Sequence, residues 1–179
     1  MSHATEAIRH TATAQRRIAT PLGDVLLVRT EHGLAGAWFE GQKYHPGAID
    51  APLAEDDPLL ARAADQLRAY FDGTADTFDV PLDLQGSAFQ RSVWAALLAI
   101  DRGATRSYGD IARAIGAPQA VRAVGSAVGR NPVSVIVPCH RVVGSGGALT
   151  GYAGGLDRKR ALLALEAKER SLLSLDAHA

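Results

Sequence analysis

Between Ser87 and Gly129 the chain carries three helix starts in quick succession, each soon followed by a glycine. Ser87 and Gln90 have the spacing of a capping box, in which the hydroxyl accepts from the third backbone N–H and the amide reaches back to the cap. Val93, Trp94, Leu97 and Leu98 then recur at helical period, and Gly103 lies shortly beyond. Ser107 and Asp110 repeat the signal ahead of Ile111, Ala112 and Ile115, with Gly116 as the stop. Pro118 can open a third helix at once. Helices this short gain little stability alone and must bury their apolar sides on one another. Two of them joined by a glycine-containing turn form a helix-turn-helix candidate, which serves either as a DNA reader or as a packing unit.

The third helix adds an asymmetry. Val121, Val124 and Val128 share one face, while Ala123, Gly125, Ser126 and Gly129 leave the outward side small, with Arg122 as its one long side chain. Such a surface admits close approach of another backbone. Charge is divided as well: residues 31–83 hold eleven acids against three bases, and residues 84–160 hold ten bases against three acids, although the whole chain is formally neutral. A polyanionic partner for the second half and ordinary solvated arginines both fit this division.

Ahead of the helices, residues 1–15 are polar and aperiodic and read as a frayed terminus. From Arg17 to Phe39, apolar runs such as Val25-Leu26-Leu27-Val28 are broken by Pro21, Gly23 and Gly33, a pattern of strands and tight turns. Residues 40–56 read as a loop. Asp57-Pro58 caps a helix whose face is Leu60, Ala63, Ala64, Leu67 and Phe71, ending at Asp72-Gly73, and residues 75–86 read as an extended connector. The expected fold is an α/β N-terminal domain, a small antiparallel sheet plus helix, followed by a mainly α C-terminal domain with a winged-helix-like helix-turn-helix. The expected boundaries are 1–16 for a flexible N-terminus, 17–83 and 84–170 for the two domains, and 171–179 for a tail. A hydrophobic content of 47% suffices for a core, and the lack of a signal-like or membrane-length apolar run predicts a cytoplasmic protein with no membrane partner.

Cys139 is the only cysteine and sits in Pro138-Cys139-His140-Arg141-Val142, after Val135-Ile136-Val137, a short apolar run that reads as a buried strand. It has no second cysteine for a disulfide and no thiolate companions for zinc. Two roles stay open: an inert core thiol, or a nucleophile tuned by its neighbours. In an extended segment His140 would point away from Cys139, with a bridging water as the link, whereas a bend at Pro138 would change that arrangement. Glu166 interrupts the apolar stripe of Leu162 and Leu163 on a helix expected from about Leu156 to Lys168, and His140 is an obvious buried partner for it.

Seven blocks in order carry a resemblance. They are Phe89-Gln90 with Val93-Trp94, Ser107-Tyr108-Gly109, Arg122-Ala123-Val124-Gly125, Gly129-Arg130-Asn131-Pro132, Pro138 to Val142, Gly151-Tyr152-Ala153-Gly154-Gly155, and Leu162 to Glu166. Together they resemble the O6-alkylguanine-DNA alkyltransferases, particularly the bacterial constitutive form. Thr20-Pro21-Leu22-Gly23 and Gly33-Leu34-Ala35-Gly36 extend the likeness more loosely into residues 17–83.

The resemblance implies a single-turnover methyltransferase that moves the alkyl group of O6-alkylguanine, and by extension O4-alkylthymine, onto Cys139 after flipping the base from the duplex. It implies that His140 acts through water as base, that Glu166 orients it, that Tyr108 donates to the purine, and that Asn131 holds the turn bearing the cysteine. Val142, Tyr152 and Ala153 would form the base pocket. Arg122 would fill the hole left by the flipped nucleotide, with Ala120, Ala123, Gly125, Ser126 and Ala127 against a minor groove. The expected partner is double-stranded DNA bearing the lesion, met by a monomer that can bind cooperatively, without cofactor or metal. Asp101-Arg102-Gly103-Ala104 departs from the Pro-Tyr-Gly-Glu common in the family while keeping its glycine. The alternatives are a non-catalytic sensor of alkylated DNA and, more remotely, a cysteine hydrolase.

Overall fold

A computed structural model describes residues 3–176, with side chains described over residues 5–167. Three strands, β1 (Ala14–Ile18), β2 (Val25–Arg29) and β3 (Leu34–Phe39), form an antiparallel meander in chain order. Their side chains alternate between two faces. Val25, Leu27, Leu34, Ala37 and Phe39 join the main core with the helix Pro58–Asp72, while Leu26, Val28, Ala35 and Trp38 form a smaller cluster on the other side.

That second face corrects the reading of the N-terminus. Residues expected to fray instead form a helix, α1 (His3–Thr11), whose Ile8 is fully buried against Leu26, Val28 and Trp38. A sheet apolar on both faces must be covered on both. From α1 a single buried isoleucine joins Ile49 in that cover, too little to generate a period that the sequence would betray.

The helix α2 (Pro58–Asp72) is capped as its sequence predicts: Asp57 Oδ1 accepts from the backbone N–H of Leu59 and Leu60, each at 3.0 Å, and Gly73 closes the C-terminus at φ 71°. Leu60, Ala63, Ala64 and Leu67 are buried as expected, but the last buried aromatic is Tyr70, with Phe71 only partly covered.

The C-terminal half contains α3 (Ala88–Leu98), β4 (Arg106–Ser107), α4 (Tyr108–Ala114), α5 (Val121–Gly129), β5 (Val142–Val143) and α6 (Leu156–Asp176). Both capping boxes form, at Ser87 with Gln90 and at Ser107 with Asp110. The helix expected from Pro118 begins three residues later, after a turn closed by Ala120 N–H to the Ala117 carbonyl, so Val121 sits on the first turn and is 40% exposed rather than packed with Val124 and Val128. Ala127, expected on the small outward face, is instead buried in the core with Val124 and Val128, and its carbonyl accepts from the Trp94 indole N–H at 2.9 Å. α6 runs on to Asp176 and takes in part of the expected tail. Among the described residues no helix is long and apolar enough to cross a membrane.

The two halves join along β3. Its outer edge is paired by Ala37 N–H to Pro132 O (2.9 Å) and Ser134 N–H to Ala37 O (2.8 Å), and by Leu34 with Pro81 and Asp83. An open strand edge is thereby closed by the segment leading to Cys139. On the sheet's second face the Trp38 ring lies over Gly36, where a Cβ would come within 1.9 Å of it. Gly36→Ala is expected to lower stability by about 1–3 kcal/mol through overpacking, read as a lower urea midpoint; an unchanged midpoint would show that Trp38 swings aside freely.

Candidate active site

The apolar run before Cys139 is not a strand. Val135 adopts φ 72°, Ile136 N–H donates to Ser134 O at 2.9 Å, and Cys139 N–H donates to Val137 O at 2.8 Å around Pro138 at φ −82°, ψ 63°. These are two successive three-residue turns, the first of the rarer strained kind. A β-branched residue at positive φ costs about 1–3 kcal/mol and persists only where its surroundings fix it. Here Val135 is buried in the core, which offsets that cost.

Asn131 fixes the rest. Its Oδ1 accepts from Val133 N–H at 2.9 Å, and its Nδ2 donates to Val137 O at 2.7 Å and lies 3.1 Å from Cys139 Sγ. Cys139, His140 and Arg141 then wind into a single 3-10 turn, so the cysteine and histidine are not on opposite sides of an extended chain. All three are buried.

Behind the thiol lies a closed ionic network. Glu166, on the inward face of α6, has its Oε1 2.8 Å from His140 Nε2, accepts from Arg141 Nε at 3.0 Å and Nη2 at 3.0 Å, and accepts from Tyr70 Oη at 2.7 Å. Gly103 N–H, in a left-handed turn at φ 76°, approaches its other oxygen at 3.4 Å. The glycine kept within the departing Asp101–Ala104 segment thus has a definite task. Burial alone would raise the Glu166 carboxyl, but hydrogen bonds from His140 and Arg141 outweigh it and hold the group well below the carboxylate range. An ionised Glu166 requires His140 Nε2 to donate, which leaves Nδ1 as an acceptor with no partner among the described residues. Burial pushes His140 below its ordinary value despite Glu166, so the ring is neutral.

A second buried cation, Lys159, acts on the thiol through its charge. Lys159 is fully buried and its Nζ donates to the carbonyls of Val142 (2.5 Å), Thr150 (2.9 Å) and Gly151 (3.2 Å). Burial pushes the Cys139 thiol up to about 11, against the Asn131 hydrogen bond and the Lys159 charge, which both lower it. The resting group is a thiol in contact with the Asn131 amide.

Cys139 ends a cavity of about 260 Å³ lined also by Tyr44, Tyr108, Ser126, Tyr152 and Ala153. Tyr108 Oη donates toward Thr150 O at 3.2 Å, and burial raises its pKa, so it remains a proton donor. Tyr152 packs its ring over Gly154, where a Cβ would meet it at 2.6 Å. Val142, expected in the pocket, is buried behind it, and its carbonyl is held by Lys159. Arg122, Ala123 and Ser126 are exposed on α5, with Ala120 and Gly125 half-buried beside them. Of the ten cations in residues 84–160, Arg141 and Lys159 serve the interior, and Arg102 and Arg158 lie over Tyr70 and Phe39. The basic excess is therefore only partly a surface property. Among the described residues no group of three His, Cys, Asp or Glu side chains could hold a metal ion.

Sequence reasoning missed four members of this site, Lys159, Arg141, Tyr70 and Tyr44. Lys159 shares the helical stripe of Leu162 and Glu166, and Arg141 lies inside the quoted pentapeptide, so both had a local signal. Tyr70 had none beyond its place next to Phe71, and Tyr44, in the 40–56 loop, had none at all.

Fold and site together define a class: a helix-turn-helix protein whose pocket ends on a buried thiol backed by a His-Glu-Arg network. Residues 15–84 match the 6-O-methylguanine DNA methyltransferase ribonuclease-like domain, and residues 88–168 match the DNA binding domain of the same family. The chain belongs to the 6-O-methylguanine DNA methyltransferase family. It is 50% identical over 151 residues to the methylated-DNA–protein-cysteine methyltransferase of Mycolicibacterium paratuberculosis, covering 84% of this chain and 90% of that one. It is 49% identical to the protein of the same name from Methanosarcina barkeri, covering 83% and 94%. Its fold matches the Mycobacterium tuberculosis OGT crystallised in complex with DNA, with TM-score 0.80 and 48% identity over 88% of this chain and 94% of that one.

Proposed function

We propose that this protein repairs DNA by taking the alkyl group of O6-alkylguanine onto Cys139, each molecule acting once. The observation that carries the reading is the thiol at the end of a base-sized cavity, next in the chain to a neutral histidine whose Nδ1 has no partner among the described residues and under the charge of a buried ammonium. His140 Nδ1 takes the thiol proton, relayed by solvent, and Glu166 stabilises the imidazolium that forms. Sγ then attacks the alkyl carbon: an S–C bond forms, the C–O6 bond breaks, and the electron pair passes to the guanine. Tyr108 donates to the purine as that charge develops, and the proton held by His140 balances the departing base.

Arg122 is exposed and makes no ion pair with a described residue, which suits insertion into the stack in place of an extruded nucleotide. The small residues Ala123, Gly125 and Ser126 favour close approach to a minor groove without reading sequence. Contacts of that kind let repair proceed in any sequence context.

Intact-mass measurement after incubation with an O6-methylguanine duplex tests the reading. A mass gain of one methyl group, mapped to Cys139 and lost in Cys139→Ser, is expected, with an O4-methylthymine duplex as second substrate. Lesion binding without any mass gain would instead identify a sensor.

A further inference from the structure

The loop between β3 and α2 reaches across to the alkyl-acceptor cavity. Tyr44 lines that cavity although it belongs to the N-terminal half of the chain. Its backbone sits at φ 65°, an uncommon conformation for a bulky residue and one that persists only when its surroundings fix it. Several contacts do so. Gln42 is buried and its Oε1 accepts from Phe39 N–H at 2.8 Å and from Ser134 Oγ at 3.2 Å, while Lys43 N–H donates to Ala153 O at 2.9 Å. The Tyr44 ring carries the Arg130 guanidinium and Lys43 Nζ each at 5.0 Å, and Gly129 leaves room for its edge. Cations at that distance lie within the range of cation–π attraction.

The far side of the loop rests on α1. Arg9 Nη2 donates to Pro46 O at 2.5 Å, His45 meets Trp38 edge-on with ring centroids 6.4 Å apart, and Ile49 is buried with Ile8, Leu26 and Trp38. α1 precedes residue 15, where the family match begins. A segment outside the matched region therefore braces a wall of the pocket.

We propose that Tyr44 is a specificity-determining residue that limits the size of the O6 substituent admitted to Cys139, and that α1 is the positioning element that sets it. This rests on the alkyl-transfer reading above. At about 260 Å³ the cavity falls below the roughly 300–1,000 Å³ of common ligand sites, so each ring that lines it limits what fits beside the purine, and of Tyr44, Tyr108 and Tyr152 only Tyr44 comes from the N-terminal half. Removing the ring opens the cavity toward the loop.

The test compares single-turnover transfer from O6-methylguanine and O6-benzylguanine duplexes to the full chain. Tyr44→Ala is expected to raise the benzyl-to-methyl rate ratio by about tenfold or more, the scale of discrimination by a pocket wall, while Tyr44→Phe keeps the wild-type ratio. Arg9→Met, at an unchanged urea midpoint, is expected to move the ratio the same way by less and to add nothing in the Tyr44→Ala background. An unchanged ratio in Tyr44→Ala overturns the assignment of Tyr44. An unchanged ratio in Arg9→Met overturns that of α1. A wild type that accepts neither group would sink the transfer reading itself, an outcome separate from either ratio.

Discussion

Glu166→Ala is expected to lower the unfolding free energy by about 3–5 kcal/mol, the usual result of removing one partner from a buried ion pair. Against a total stability of about 5–15 kcal/mol, that is a large fraction. The cost arises because the substitution strands three groups at once: the Arg141 guanidinium, His140 Nε2 and Tyr70 Oη all lose their acceptor in a region closed to water. Glu166→Gln retains one acceptor oxygen but turns an amide toward donors, and about 1.5–3 kcal/mol is expected. Acid exposes the same network. The Glu166 carboxyl is depressed in the folded protein, so its contribution is present above the ordinary value of 4.5 and is lost as pH falls below it. His140 is also depressed, so the unfolded chain gains a proton near 6.5 that the folded protein refuses, and stability declines from that point downward. Urea midpoints measured against pH should fall in two stages, and His140→Asn should remove the upper one. A flat profile down to 4.5 would contradict the buried neutral histidine.

The parts of this architecture that local chemistry dictates were legible in the sequence. Ser87 with Gln90, Ser107 with Asp110, and Asp57-Pro58 each fix a helix start through bonds made within three residues, and all three form. Errors fall where long-range packing overrides local pattern. Val135-Ile136-Val137 has the composition of a strand, yet Asn131 and the β3 edge hold it in tight turns, because Cys139 must be turned toward a cavity rather than run past it. The N-terminal segment shows no period because one buried isoleucine anchors it. The site divides in the same way. Glu166 was visible as a carboxylate on an apolar stripe, and its pairing with His140 follows from chemistry. Tyr70 and Tyr44 come from the N-terminal half, and only the tertiary fold brings the first to Glu166 and the second to the cavity that ends on Cys139.

Lys159→Met is expected to slow alkyl transfer by about 10²–10³-fold, the magnitude typical of removing one preorganised electrostatic donor from an active site. Met keeps the length and apolar stem of lysine and deletes only the ammonium. That ammonium ties together the carbonyls of Val142, Thr150 and Gly151, two of which also receive the Tyr108 hydroxyl, so it joins the cysteine segment to the opposite pocket wall. It is also the charge that opposes the effect of burial on the thiol, already pushed up to about 11. Without it the thiol moves higher still, and the rate-pH profile should shift toward alkaline pH while affinity for the lesion changes far less. Lys159→Arg should not restore the rate, because a planar guanidinium cannot direct three donors at carbonyls gathered around one nitrogen. A profile that loses amplitude without shifting would assign Lys159 to the scaffold alone. A shifted profile would make the ammonium part of what turns a buried thiol into an acceptor, with His140 removing the proton and Lys159 stabilising the charge left behind.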